Sequence, residues 1–396
     1  MVSLANRLAA SGAKSYGMFG RAQSIRDRDL IHLELGMPVH DTPALIKEAT
    51  IRALRMGDVH YSDLRGIAPL REALAARVRE HNRIPVSAED VLVTNGLTHA
   101  SYAAFMATIN PGDEVILLDP YYPQHVGKIR LCGGEVVPAP MDAAGGFTLD
   151  PALIAPRITS RTKAIVLVNP CNPTGRVFTR AELEGLAELA VRHDLVVISD
   201  EVYEQVLFDG ASHVSIASLP GMAERTVTLF AFTKAYAMDG WRLGYAVATP
   251  NLMAAMADIS ANMVTHVNTF IQHGALAAIQ QGQAAVAAMI AEDQVKRDIV
   301  VRALNQMHGV TCARPEGTIY AFPDIRGTGW SSGELAEAIL LKANVVVESG
   351  SFYGKNGEGH LRICFGSQSD DRLHEAMSRL GEFFSRRRAN GSGPCD

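Results

Sequence analysis

The sequence predicts an α/β protein with a large domain built on a mostly parallel sheet flanked by helices, plus a smaller α+β domain. Short apolar runs alternate with helical patterns between about residues 90 and 250, which is typical of a parallel sheet covered on both faces. Residues 251–308 follow as long helices, and residues 315–387 alternate strand, helix, strand, helix. The apolar runs are Val91–Thr94, Glu114–Leu118, Lys163–Val168, Leu195–Ser199, Thr226–Phe230 and Gly244–Ala248.

Helix start signals support this interpretation. Thr179 and Glu182 have the spacing of a capping box, and an apolar face follows them along the next helix. Asp150-Pro151 and Thr42-Pro43 each place a capping residue before a proline at the first helical position. In the C-terminal part, the pattern predicts strands at Thr318–Phe322 and His360–Cys364 and helices at Glu334–Lys342 and Arg372–Arg386.

Composition argues against several classes of function. The 396 residues carry a net charge of −5, which gives no electrostatic reason to expect binding to nucleic acid or to an anionic membrane. No apolar run reaches the roughly 18 residues that a membrane span needs. The five cysteines are scattered without metal-ligand spacing, and the first residues lack the apolar core of a signal peptide. We therefore expect a reduced cytoplasmic protein without a metal site.

Four segments carry residues of chemical interest, and each has an ordinary structural alternative. Asn169–Gly175, with the sequence NPCNPTG, follows a predicted strand but is also a typical proline-rich turn. Asp200 ends another strand, where an aspartate is as often a helix N-cap. Lys234 follows a third strand, and a lone lysine is usually a solvated surface residue. Arg362 lies inside an apolar strand, where a structural ion pair is common.

Taken together, these segments supply a complementary set of groups. The set contains a lysine nucleophile, a carboxylate, a phenol, an amide and two arginines, several of them at the strand ends where α/β sheets bind ligands. An anionic aldehyde cofactor and a carboxylate substrate need such groups. The residues are Lys234, Asp200, Tyr203, Asn172, Arg242 and Arg362.

The same segments resemble those of the class I/II aminotransferases, the fold-type I family of pyridoxal 5′-phosphate (PLP) enzymes. YSDLRGIAPLREALA, NPCNPTG, SDEVY, TKAYAMDGWRLGY and EGHLRICFG occur in family order, and the resemblance covers about residues 15–385. It implies a large PLP-binding domain at residues 45–285 and a small domain formed by residues 1–44 and 286–396. It also implies an aminotransferase that moves an amino group from an L-amino acid to a 2-oxo acid by a ping-pong mechanism.

The resemblance implies a role for each residue around the cofactor ring. Lys234 forms the Schiff base with PLP and, once displaced by substrate, transfers the proton at Cα. Asp200 pairs with the pyridine nitrogen and keeps it protonated. Tyr203 and Asn172 bind the ring hydroxyl oxygen, and Tyr122 stacks on the ring.

The resemblance also places the cofactor phosphate. Arg242 is the matching arginine, and the start of the helix after Val91–Thr94 supplies backbone N–H groups. Tyr61 matches a tyrosine that reaches the phosphate of the partner subunit, which implies a homodimer with shared active sites. Many family members carry a serine where this chain has Ala231, which leaves Thr233 as the nearest hydroxyl. The implied phosphate ligands are Arg242, Gly96, Leu97, Thr98, Thr233 and Tyr61.

For the substrate, the resemblance implies that Arg362 grips the α-carboxylate with help from Asn172. Gly36 closes over that carboxylate, and Tyr16 belongs to the entrance segment. One branch of aspartate aminotransferases has a lysine near Thr98 for the second carboxylate of its substrate, and this chain lacks it. The donor is therefore left open among aspartate, aromatic and other apolar amino acids.

Three other functions share parts of this pattern. A PLP-dependent lyase, synthase or oxidase uses the same Lys234, Asp200 and Arg362, so the motifs leave it open. A PLP-binding DNA regulator is disfavoured because the aminotransferase pattern begins near residue 15, which leaves no room for a helix-turn-helix domain, and because the net charge is negative. A nicotinamide enzyme is disfavoured because no GxGxxG opens a helix after the first strand.

Overall fold

The computed structural model describes residues 5–11, 17–25 and 28–390. Its α-helices are α1 (Asn6–Ser11), α2 (Gly17–Ala22), α3 (Ala44–Met56), α4 (Ala68–Arg77), α5 (Gly96–Thr108), α6 (Gln124–Leu131), α7 (Pro151–Ile154), α8 (Arg180–Arg192), α9 (Pro250–Met263), α10 (Thr269–Gln281), α11 (Gln283–Leu304), α12 (Ser332–Ala343) and α13 (Asp370–Asn390). Its strands are β1 (Ile31–His32), β2 (Val91–Thr94), β3 (Glu114–Asp119), β4 (Glu135–Pro140), β5 (Thr162–Val168), β6 (Val196–Asp200), β7 (Thr226–Ala231), β8 (Gly244–Val247), β9 (Tyr320–Ala321), β10 (Val345–Val346), β11 (Glu348–Ser349) and β12 (Leu361–Cys364).

A seven-stranded sheet forms the centre of the molecule, in the order β2-β8-β7-β6-β5-β3-β4. The neighbours from β7 to β4 are all parallel, whereas β8 runs antiparallel to both β2 and β7. All six apolar runs identified in the sequence form strands of this sheet. The predicted fold class, a mostly parallel sheet flanked by helices, is therefore confirmed.

Strand β4 was not predicted from the sequence, and the reason is physical. It lies at the edge of the sheet, and its sequence EVVPAP contains Pro138 and Pro140. An edge strand tolerates prolines because one side of its backbone has no neighbouring strand to bond. Its residues, mostly exposed or half-buried, also lack the apolar continuity of the inner strands, so the sequence pattern gave little signal.

Alternating side chains of the sheet pack against helices on opposite faces. Along β5, Ala164 and Val166 join the cluster that contains α5 and α9, whereas Ile165 and Leu167 join the cluster that contains α8. Successive residues of a strand point to opposite faces, so a strand that is apolar throughout needs cover on both sides. The capping box of Thr179 and Glu182 is present at the start of α8.

A second core lies around the C-terminal elements. The antiparallel sheet β11-β12-β9 packs with α11, α12 and α13. Strand β1 pairs in parallel with β10, so the segment near the N-terminus joins the C-terminal elements. The division into a large domain of residues 45–285 and a small domain of residues 1–44 and 286–396 stays a prediction. The two-residue strands β1, β10 and β11 are too short for a periodic sequence signal.

Within the described residues, no single helix has the length and apolar character to cross a membrane. Helices α10 and α11 meet that criterion only as a pair, by length and composition, and the chain bends by 79° between them.

The parallel strands bring several chemically interesting residues to one edge of the sheet. Asn169 follows β5, Asp200 ends β6, and Lys234 lies just beyond β7. Since these three strands are adjacent and parallel, their carboxyl ends open toward the same side. The fold therefore collects on one edge residues that are far apart in sequence.

Candidate active site

Lys234 lies in a turn just after β7, in surroundings unusual for a lysine. Its Nζ donates a hydrogen bond to the carbonyl oxygen of Gly36 and lies 5.8 Å from the centroid of the Tyr203 ring. Burial lowers the pKa of this amine from 10.5 to about 8, and the nearby Cys364 and Asp239 oppose that effect only in part. A larger fraction of a lysine amine is therefore neutral near physiological pH than on a protein surface. Such an amine is a nucleophile and a base.

Asp200 faces the site from the end of β6 and is almost fully buried. Its Oδ1 accepts a hydrogen bond from the backbone N–H of Val202 at 3.3 Å, and its Oδ2 lies 3.4 Å from Nε2 of His125. His125 is completely buried, and burial lowers its pKa. Buried Lys128 lies nearby on α6, with its Nζ donating to Ser101 at 2.6 Å, and burial lowers its pKa to about 8.

An anion cradle forms where β2 leads into α5. Gly96 has a φ of 76°, and a Cβ added there would lie 2.7 Å from Nη2 of Arg242. Gly96, Leu97 and Thr98 are the first residues of α5, so their backbone N–H groups have no partners within the helix. Arg242 donates to the carbonyl oxygen of Asp239 at 2.9 Å and makes no carboxylate contact within the described residues. Helix dipole, free N–H groups and guanidinium together suit a phosphate.

Thr98 and Thr233 are the two hydroxyl residues that are predicted to bind the phosphate at this cradle. Thr98 is exposed in the first turn of α5, and Thr233 is half-buried in the turn that carries Lys234. Neither side-chain hydroxyl makes a hydrogen bond to another described residue. Binding of the phosphate by Thr98 and Thr233 therefore stays a prediction.

Arg362, on β12, is buried between two aromatic rings. Its guanidinium carbon lies 4.3 Å from the ring centroid of Tyr320 and 4.8 Å from that of Tyr353. It donates to Oδ1 of Asn172 at 3.2 Å and to the carbonyl oxygen of Glu34. Its Nε has no hydrogen-bond partner, and no described carboxylate lies within 4.0 Å. A buried arginine normally has an anionic partner, so this guanidinium suits an anionic ligand.

Tyr203 and Tyr320 form a buried phenol pair beside the lysine. The Tyr203 hydroxyl donates to the Tyr320 hydroxyl at 2.7 Å, and the two rings meet edge to face. Burial raises the pKa of both, that of Tyr320 to about 12. Tyr320 therefore orients the hydroxyl of Tyr203, the residue that is predicted to bind the ring oxygen of the cofactor.

Gly36 and Tyr122 line the same space. A Cβ on Gly36 would lie 1.9 Å from the hydroxyl of Tyr320, so no other residue fits at this position without displacing that phenol. Tyr122 is half-buried, and its ring meets His125 edge to face at 5.4 Å. Gly36 thus lies between Tyr320 and Lys234, and Tyr122 lies on the side of Asp200 and His125.

One predicted residue, Tyr61, lies away from this group. Tyr61 is 86% exposed, and its ring meets His266 edge to face at 4.9 Å, so it is available to another molecule. Tyr16 lies outside the described residues.

Four residues around the site are absent from the set of site residues predicted from the sequence. Tyr320 and Tyr353 flank Arg362, while Lys128 and His125 lie behind Asp200. The tyrosines give no sequence signal, because they look like ordinary core residues of short strands and turns. His125 and Lys128 lie three residues apart on α6, and what distinguishes them from ordinary surface residues is their burial, which depends on the fold.

One further group of potential metal ligands exists among the described residues. Ligand atoms of Glu201, Glu204 and His213 lie within 4.8 Å of one another. Glu204 already pairs with Arg77 at 2.9 Å, and His213 pairs with Glu201 at 2.9 Å. These pairings give the cluster a structural role, and the absence of a metal site stays a prediction.

Comparison with known proteins places this arrangement in a family. The model of the family "Aminotransferase class I and II" matches residues 28–380. The chain belongs to this family. It is 38% identical to an aspartate aminotransferase of Pyrococcus abyssi, over 89% of this chain and 91% of that protein. It is 39% identical to an arginine–pyruvate transaminase of Pseudomonas aeruginosa, over 94% of this chain and 95% of that protein.

The fold comparison agrees with the sequence comparison. An aromatic aminotransferase from Pyrococcus horikoshii superposes with a TM-score of 0.89 at 37% identity, covering 94% of this chain and 99% of that one. The chain is accordingly a transaminase of the fold-type I PLP family. The relatives carry different substrate names, so the family by itself leaves the donor open.

Proposed function

We propose that this aminotransferase binds PLP between Lys234, Asp200 and the start of α5, and that Arg362 binds the α-carboxylate of an L-amino acid or a 2-oxo acid. The observation that carries the proposal is the buried guanidinium of Arg362, which lacks a carboxylate partner among the described residues and shares its surroundings with the lysine of lowered pKa. The guanidinium of Arg362 thus suits an anion, and the amine of Lys234 suits a carbonyl group with which it can form an imine.

The residues fit the cofactor at both of its ends. The cradle of Gly96, Leu97, Thr98 and Arg242 suits the phosphate, with a glycine where a side chain would press on the arginine. Asp200 offers a buried carboxylate to a protonated ring nitrogen. When bound, the cofactor supplies an aldehyde that takes up the amino group and a ring that accepts the electrons from Cα.

The side chains of the chain then have separate tasks. Lys234 Nζ removes the proton from the substrate Cα and returns it, because its lowered pKa leaves it unprotonated more often than a surface lysine. Asn172, whose Oδ1 accepts from Arg362, offers its amide N–H to the ring oxygen, and Tyr203 would turn its single hydroxyl proton from Tyr320 to that oxygen. Arg362 fixes the α-carboxylate and so sets which bond at Cα faces the base.

We also propose a homodimer with shared sites. Large apolar side chains are exposed along one continuous stretch of sequence near Tyr61, where a monomer would leave them in water. They are Met37, Val39, Ile51, Leu54, Met56, Val59, Tyr61 and Leu64. In the dimer, Tyr61 reaches the cofactor phosphate of the partner subunit. A cytoplasmic location, expected from the scattered cysteines, stays a prediction.

Half-reactions with individual amino acids test the proposal. The purified protein, loaded with PLP, is mixed with each of the twenty common amino acids, and the visible absorbance of the cofactor is followed. We expect at least one amino acid to convert the spectrum and a 2-oxo acid to restore it. Release of ammonia, peroxide or an olefin without any acceptor would instead indicate a lyase, synthase or oxidase, and no spectral change with any donor would refute the proposal.

A further inference from the structure

Two buried glutamates share a sheet face with Arg362. Glu348 on β11 is the direct cross-strand partner of Arg362 on β12, and directly paired residues of neighbouring strands point to the same face. Val346, two residues earlier, packs against Ala22 of α2, so this face lies beneath α2. Glu34 follows β1, which runs beside β10, and its carbonyl oxygen accepts a hydrogen bond from Arg362.

Neither glutamate has a lysine or arginine partner. Glu348 is 4% exposed, and its carboxylate accepts hydrogen bonds from the backbone N–H groups of Met18 and Ser349, each at 2.9 Å. Glu34 is 3% exposed, with Oε1 2.8 Å from Nδ1 of His32 and Oε2 without a partner. Within the described residues, no lysine or arginine nitrogen lies within 4.0 Å of either carboxylate.

Within the described residues, the face therefore holds a buried guanidinium and two buried carboxylates that form no ion pair with one another; Glu34 has the imidazole of His32 as its partner, and Glu348 has backbone N–H groups alone. Burial raises the pKa of Glu348, the charge of Arg362 lowers it in part, and Glu34 raises it again. A buried charge without a counter-ion is costly, so an arrangement of this kind gains most from a ligand that supplies the missing partners. An anionic group is needed at Arg362 and a cationic group at the glutamates.

We propose that the donor is an L-amino acid with a cationic side chain, a guanidinium or an ammonium, and that Glu348 and Glu34 select it. The inference rests on the proposed function, in which Arg362 binds the α-carboxylate. The α-amino group is consumed by the reaction, so only the side chain of the donor can bring the positive charge. Once Arg362 is paired, two carboxylates remain on this face, and they repel a donor with an acidic side chain.

Glu348 also has a structural role that the test must separate from selection of the donor. Its bond to the N–H of Met18 fastens α2 over this face, so its loss could act only by loosening α2. Glu348→Gln keeps one oxygen that accepts this bond, and it removes the charge together with the second bond, from the N–H of Ser349. Glu337→Gln is the matched control, because Glu337 holds Arg21 of the same helix from outside at 2.7 Å.

The decisive comparison is arginine against citrulline, which has the same shape but a neutral side chain. We expect kcat/KM of the half-reaction to favour arginine by about 100-fold in the unmodified protein, given the worth of a charge-assisted bond at a buried site. Glu348→Gln and Glu34→Gln should each lower this ratio about 10-fold or more, chiefly through arginine. Glu337→Gln should leave the ratio unchanged.

A binding measurement supplies a readout that needs no turnover. In calorimetry, 5-guanidinopentanoate should bind at least about 10-fold more tightly than the neutral 5-ureidopentanoate, and Glu348→Gln should remove the difference. Equal binding of the two, or equal ratios in Glu348→Gln and Glu337→Gln, would overturn the inference. Efficient half-reactions with neutral or acidic donors but not with arginine would overturn it while leaving the proposed function intact. Failure of every donor would refute the proposed function itself.

Discussion

Burial changes the chemistry available to Lys234 and Arg362. On a surface, a lysine and an arginine are solvated cations, whereas here one has a lowered pKa and the other lies between two tyrosine rings without a described carboxylate partner. The same residue types in another setting would carry no function. Geometry, more than residue identity, gives these two side chains their roles.

Replacing Arg362 by lysine should separate charge from shape. The substituted side chain would be charged but would lack the planar fork that holds a carboxylate with two parallel bonds. For Arg362→Lys we expect kcat/KM for every donor to fall by about 100-fold, with PLP affinity little changed. Half-reaction kinetics and fluorescence titration of PLP check this. Unchanged kcat/KM would show that another group binds the α-carboxylate.

The lowered pKa of Lys234 also affects stability. Its folded pKa, about 8, lies below its ordinary 10.5, so the unfolded chain binds the proton more tightly. Folding of the cofactor-free protein is thus disfavoured below about pH 8, and this penalty fades as the pH rises from about 8 to 10.5. Lys234→Met should stabilise the cofactor-free protein at about pH 7, and the gain should shrink toward about pH 10. Urea unfolding measures it.

Exposed Lys163 provides the control for that experiment. Lys163→Met should change the free energy of unfolding little at either pH, because the side chain at this position is exposed to solvent in the folded chain as it is in the unfolded one. An equal gain in the two variants, or a gain for Lys234→Met that does not depend on pH, would contradict the account of Lys234.

At the scale of elements, the start of α5 and the turn that carries Arg242 form one unit. Gly96→Ala would place a Cβ 2.7 Å from Nη2 of Arg242 at a φ of 76°. We expect PLP affinity to fall by about 10-fold or more, because the arginine must move away from the phosphate. Gly112→Ala is the control, since Gly112 has a φ of 88° but nothing within 4 Å of the added Cβ. Equal PLP affinity in the two variants would contradict the cradle.

Periodicity predicted the inner elements well and the short ones poorly. The inner strands of the central sheet are mostly apolar runs, so their positions can be read from the local sequence. Strand β4 is interrupted by prolines on an edge, and β1, β10 and β11 have two residues each. Those short strands form because segments that are distant in sequence pair with each other. The residues around each strand therefore do not reveal it.

The site divides in the same way. Residues in family motifs, such as Asp200 and Asn172, were predictable because their neighbours in sequence identify them. Tyr320 and Tyr353 were not, since their contacts with Arg362 depend on the packing of turns and short strands. The charge of Lys128 behind Asp200 likewise becomes visible only once α6 lies against the sheet.

At the scale of the whole molecule, the exposed apolar stretch between Met37 and Leu64 predicts a dimer. Met56 is 75% exposed, so Met56→Glu should leave the fold intact but place a charge in the interface. Sedimentation velocity should show a shift from dimer to monomer, with reduced turnover. Val295→Glu is the control, because Val295 is 52% exposed on α11, away from that stretch in sequence. A dimer that persists in Met56→Glu would place the interface elsewhere.

Chemical trapping shows most directly whether Lys234 forms the covalent bond with the cofactor. The protein loaded with PLP is reduced with borohydride, digested and mapped by mass spectrometry. We expect the added mass on Lys234 and its absence from the Lys234→Ala protein. Added mass on another lysine, such as Lys128, or no covalent addition at all, would contradict the account.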